Sequence, residues 1–180
     1  MIAATRRRPA SAIGAWLLSV LTNDLDEGRR HLAVIAARID ARQFRLAEFI
    51  VVRVVFEELV HKYLPADSEA RAVNAVAHEA VRMVEPDATA LFGWPAPDLL
   101  ATAAVIHRAM GDEHRPRYLG FADDIGSLWT SVGLALVKRH RPRAGEIRKL
   151  VLKAEHTAAG WDPPVVLTPA ASVSGSPNAR

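Results

Sequence analysis

The stretch Phe44–Leu64, FRLAEFIVVRVVFEELVHKYL, decides how the rest of the chain is read. Its valines and isoleucines suit a strand, because β-branched side chains are stiff at χ1 and pack well on a pleated surface. Its length argues for a helix: about 21 residues pass without a turn residue, well beyond an ordinary strand. Pro65 then ends the run, since it cannot continue a helical hydrogen-bond ladder. On a helical wheel the charged residues Arg45, Glu48, Arg53, Glu57, Glu58, His61 and Lys62 scatter around the axis. A helix apolar nearly all round belongs in the middle of a bundle. Some of Arg53, Glu57, Glu58 and His61 are therefore expected to be at least partly buried.

Outward from this segment, apolar residues keep recurring at helical spacing between turn signals. Upstream, one segment covers Ser11 to Thr22 and another Asp24 to Gln43. On the latter, Leu25, Gly28, Leu32, Ile35, Ala36 and Ile39 share a face and arginines occupy much of the other. Downstream, a segment from Ser68 to Glu85 is capped by Asp67 or Ser68 and closed by Pro86. The sequence Leu91–Pro97 reads as a rigid apolar turn, after which Asp98 caps a helix reaching Met110 and Gly111. A polar loop, Asp112–Tyr118, leads to a helix from about Phe121 to His140, where Phe121, Ile125, Leu128, Trp129, Val132 and Leu136 form the clearest amphipathic stripe of the chain. Pro142 breaks it, and a last helix runs from Ala144 to Ala159 and stops at Gly160.

The expected architecture is all-α: a single-domain multi-helix bundle of about seven helices around a central hydrophobic helix. Residues 1–10 read as a flexible basic N-terminus, 11–161 as the helical domain and 162–180 as a disordered Pro/Ala/Ser-rich tail without periodicity. Composition agrees with such a domain. The 180 residues are 50% hydrophobic and 24% charged, enough for a chain of this size to bury roughly two thirds of its unfolded surface. The 32 alanines raise helix propensity because alanine loses no side-chain entropy in a helix. With no cysteine, disulfide frameworks, thiolate metal sites and cysteine nucleophiles are excluded.

Charge is unevenly distributed. Residues 6–8 are three arginines, and residues 138–153 hold seven Lys and Arg against one acid, Glu146. These segments carry +3 and +6, so from a net charge of +3 the remaining residues carry −6. An acidic body with a basic corner is a statement about partners rather than fold. The arginine cluster preceding the apolar stretch Ala10–Leu21 invites an export reading. It lacks a small-x-small cleavage site before Asn23 and is too short to span a bilayer, so a first core helix and a cytoplasmic location are expected, with no membrane partner.

Several constellations offer chemistry, each beside a plainer reading. Glu58 and His61 form a Glu-x-x-His element that brings a carboxylate and an imidazole to one helix face, the spacing used by carboxylate-bridged di-iron bundles. Those bundles need two such elements, and only one is present, so a local ion pair and a hydrogen-bonded histidine explain the same residues. His31 and His107 lie on the flanks of their helices' apolar faces, within conceivable reach of a shared site. Arg53, Glu57, Glu58 and His61 together mark where a polar ligand pocket would be sought. Arg139, Arg141, Arg143, Arg148, Lys149 and Lys153 form a surface suited to nucleic-acid phosphates or an acidic partner, against the alternative of a solvated face. A helix-turn-helix register on Ala122–Gly126 with Val132 fails, because the would-be recognition helix is apolar. No phosphate-cradling glycine loop, Gly-x-Ser-x-Gly elbow or His-Glu-x-x-His helix occurs. The sequence thus reads as a non-enzymatic protein-interaction or small regulatory module without cofactor, with self-association through leftover apolar surface. The alternatives are nucleic-acid binding through 138–153 and a metal or small-ligand site on Glu58 and His61.

Overall fold

A computed structural model describes residues 8–38, 41–83, 96–111, 122–160 and 169–170, the side chains of residues 38, 41–49 and 122–124 excepted. The described residues form seven helices and no named strand: α1 Ala12–Leu21, α2 Leu25–Arg38, α3 Ala41–Tyr63, α4 Ala70–Ala80, α5 Leu99–Ala109, α6 Ala122–His140 and α7 Ala144–Ala159. The all-helical bundle expected from periodicity is what the chain forms. The loop Asp112–Tyr118, most of the turn Leu91–Pro97, and Ile39 and Phe121 lie outside the described residues.

Local chemistry accounts for most ends. The Ser11 side chain caps α1 by accepting from the Gly14 N–H, and Asp98 caps α5 by accepting from the Ala101 N–H, satisfying amides that a first helical turn leaves without partners. Asp24 accepts from the Glu27 N–H at the start of α2. The expected cap of α4 is shifted. Glu69 occupies that position and makes no side-chain cap bond, and the helix closes at Ala80, short of Pro86. Gly111 follows α5 at φ +83°, a left-handed conformation glycine adopts without steric cost.

The long helix α3 is the hub, packing on α6, α7, α1 and α5. Val51, Val52, Val55, Phe56, Leu59, Val60 and Leu64 are all buried, and the Phe56 ring stacks on Trp129 of α6 with centroids 6.1 Å apart. The helix is not wrapped on every side, however. In its described part, Arg53 and His61 are exposed and Glu57 and Glu58 half-buried, and these four fall on one half of the circumference. Arg45 and Glu48, which made the charges look scattered on the wheel, lie among the side chains left undescribed. On α2, Leu25 and Ala36 are exposed rather than inward, while Leu32 and Ile35 enter the core.

Candidate functional site

The four polar residues of α3 do not converge; each finds its own partner. Arg53 donates through Nε to Glu57 Oε1 at 2.7 Å, one turn away on the same helix. Glu58 accepts from Lys153 Nζ of α7 at 2.7 Å. His61 Nε2 lies 2.7 Å from the Ala109 carbonyl at the end of α5, a contact in which the ring must be the donor. With Glu58 and His61 turned to different helices, the Glu-x-x-His element does not close on one point. Among the described residues no group of three His, Asp or Glu is placed to hold a metal ion. His31 is buried against α1 and His107 on α5, which packs on α4 and α6, so they belong to separate interfaces.

The basic segment divides into residues that bridge helices and residues that do not. Three lysines tie helices together: Lys153 to Glu58, Lys62 of α3 to Glu146 of α7 at 3.3 Å, and Lys138 of α6 to Glu79 of α4 at 3.5 Å. Lys62 also lies 5.1 Å from the centroid of the Tyr63 ring, and its hydrogen bonds to Tyr63 and Glu146 raise its pKa above the ordinary lysine value. The arginines have no such role. Among the described residues no ion pair engages Arg139, Arg141, Arg143, Arg148 or Lys149, and all but the half-buried Arg148 are exposed. They sit on the last turn of α6, the turn that follows it and the first turns of α7.

That turn is built in an unusual way. The Arg141 amide closes α6 by donating to the Val137 carbonyl at 2.8 Å, and Arg141 itself stands at φ +49°. Left-handed backbone costs a side-chain-bearing residue roughly 1–2 kcal/mol that glycine escapes. Pro142 then blocks further helix, and Arg143 enters α7 with an extended backbone and no side-chain cap. Beside the turn, Tyr63 and His140 stack face to face, centroids 4.2 Å apart and planes 9° from parallel. Burial and the neighbouring Arg139 lower the His140 pKa.

At the other end of α7 lies a constellation the sequence reading passed over. Glu155 is buried, 8% exposed. Its Oε2 accepts from the Ala10 N–H at 3.0 Å, and its Oε1 accepts from the Ser11 N–H at 2.8 Å and from the Ser11 hydroxyl. The same hydroxyl accepts from the Gly14 N–H at 3.0 Å. A Cβ at position 14 would overlap the Glu155 carboxylate, so a glycine is needed there. The Ala170 N–H donates to the Ala10 carbonyl at 2.8 Å, and Pro169 forms an antiparallel bridge with Ser11. One signal was available: Glu155 falls among the inward positions Ile147, Val151, Ala154 and Ala158 of α7, where a lone acid needs a donor.

A second buried polar pair occupies the α1–α2 interface. His31 Nε2 lies 3.3 Å from Glu27 Oε1, and burial lowers its pKa, outweighing the opposing pull of Glu27. The Trp16 indole N–H and His31 Nδ1 are buried, and no described group bonds them. Exposed large apolar side chains, which self-association would use, are confined among the described residues to Leu25 and Leu100, on α2 and α5. The described Ala122–His140 helix is continuous through Gly126, so no helix-turn-helix turn exists there. No described helix is long and apolar enough to cross a membrane. Comparison with protein-family models, curated proteins and solved structures finds no match.

Proposed function

We propose that the protein is a non-enzymatic helical interaction module whose working surface is the α6–α7 corner and whose partner is the phosphate backbone of nucleic acid. The observation that carries this reading is the division of the basic residues: Lys62, Lys138 and Lys153 bridge helices, while Arg139, Arg141, Arg143, Arg148 and Lys149 meet no acid among the described residues. Guanidinium groups present planar forks of donors that match phosphate oxygens. A protein-binding surface draws most of its affinity from buried aromatic or aliphatic anchors, and of the described residues the exposed large apolar ones, Leu25 and Leu100, lie away from this corner, on α2 and α5. Single-stranded nucleic acid is held by stacking bases on aromatic rings, and the corner's aromatic pair, Tyr63 and His140, is stacked on itself. These features favour a duplex contacted through its backbone without sequence readout.

The test is a fluorescence-anisotropy titration of the full chain against a 20-base-pair duplex and a 20-base single strand at low salt, with polyglutamate as competitor. The reading expects micromolar or tighter duplex binding that weakens steeply as salt rises. Absence of duplex binding at low salt, or binding abolished by polyglutamate at matched charge, overturns it.

A further inference from the structure

We infer that the Glu155 anchor holds Arg8 beside α7 as a second cationic prong of the surface formed by the α6–α7 corner. This rests on the nucleic-acid reading of that corner and extends it to a region whose sequence lies far away. The chain enters α1 pinned at two successive amides, Ala10 and Ser11, both donating to Glu155. Pro9 is buried and Arg8 exposed, so the backbone is fixed up to the residue at which the positive charge begins. Arg6 and Arg7 directly precede it in sequence.

The position of the anchor on α7 gives the inference its geometry. Arg148 and Glu155 are seven residues apart, which at 3.6 residues per turn puts them on one face about 10 Å apart along the axis. Arg8 is two residues from the pinned amide of Ala10, a reach of about 7 Å. Arg8 and Arg148 therefore lie within about 25 Å of each other, a span that the backbone of one short duplex segment covers. Glu155 is turned inward, accepting from two backbone amides and the Ser11 hydroxyl, whereas Arg8 is exposed. The anchor is a positioning device: it touches no partner and acts by fixing where Arg8 stands.

The test separates positioning from bulk charge by sign. Glu155→Gln raises the net positive charge, so simple electrostatics predicts tighter duplex binding; loss of the anchor predicts weaker binding, at least threefold at fixed salt. Gly14→Ala displaces the Glu155 carboxylate without changing charge and is expected to weaken binding similarly. Arg8→Gln is expected to lower the salt slope of log Kd by about one. Ser11→Ala, a milder change, serves if the others do not fold by circular dichroism, and amide exchange at Ala10 and Ser11 reports the anchor directly in every variant. Tighter binding by Glu155→Gln, no change with Gly14→Ala or Ser11→Ala despite faster exchange, or fast exchange at both amides in the wild type overturns the inference. If these variants bind like wild type while corner substitutions abolish binding, the inference fails and the function stands. If the wild type binds no duplex, both fail.

Discussion

The two ends of α7 treat charge in opposite ways. At the C-terminal end Glu155 is buried and accepts three hydrogen bonds from the start of α1. At the N-terminal end, Arg143, Arg148 and Lys149 stand without an acid partner among the described residues, and Arg139 and Arg141 join them across the turn. The anchor is a fold contact: removing the carboxylate would leave the buried Ser11 N–H and hydroxyl and the part-buried Ala10 N–H without their acceptor, and the loss at a buried donor is expensive. The corner contributes nothing comparable to folding, and like charges gathered there repel one another. The difference separates residues that build the protein from residues that the bundle carries without needing them.

The comparison predicts unequal consequences. Glu155→Ala should cause the largest loss of stability, about 3 kcal/mol, since Ala10, Ser11 and the Ser11 hydroxyl all lose their acceptor. For a chain of this length that is a fall of roughly 10 °C in Tm; a melt within 2 °C of wild type would erase the distinction between the two ends. The corner variant R139Q/R141Q/R143Q/K149Q should instead melt within about 2 °C of wild type, because exposed unpaired charges contribute little to folding. Its duplex affinity should fall more than tenfold.

A single position tests both properties at once. Arg141 occupies a left-handed conformation at φ +49°, so Arg141→Gly should stabilise the fold by about 0.5–1 kcal/mol in urea unfolding while weakening duplex binding two- to threefold. Stability and binding moving in the same direction would leave the arginine there unexplained. The smallest effect concerns pH. The folded-state pKa values of His31 and His140 lie below the ordinary histidine value, so below about pH 6.5 the unfolded chain takes up protons that the folded chain refuses. Their contribution is present above that pH and is lost as pH falls toward the folded values. Asp24, Glu27 and Arg30 face His31, and Tyr63 and Arg139 adjoin His140. Thermal melts from pH 7.5 to 5 should show a falling Tm, with a shallower fall in His31→Gln.

The helices were legible in the sequence because spacing and turn residues repeat the same message at every scale. The apolar stripe Ile125, Leu128, Trp129, Val132 and Leu136 and the breaks at Pro65 and Pro142 define α6 and its neighbours before any contact is known. The cap of α4 was not legible: Asp67, Ser68 and Glu69 are adjacent polar residues, and which one meets the first turn depends on the backbone. The polar face of α3 was hidden by Arg45 and Glu48, which belong to a different part of the same helix. Glu155 was missed for a more general reason. Its partners are backbone amides of Ala10 and Ser11, 145 and 144 positions away, and amides carry no sequence signature. The basic segment was visible as composition, but which of its cations bridge helices depends on where Glu58 and Glu79 come to rest, beside Lys153 and Lys138.

The most direct measurement is the salt dependence of duplex binding by the wild type and by R139Q/R141Q/R143Q/K149Q. Each phosphate contact contributes about 0.9 to the slope of log affinity against log salt concentration. The account predicts that the variant's slope is smaller than the wild type's by about three to four. Equal slopes for the two proteins would contradict it.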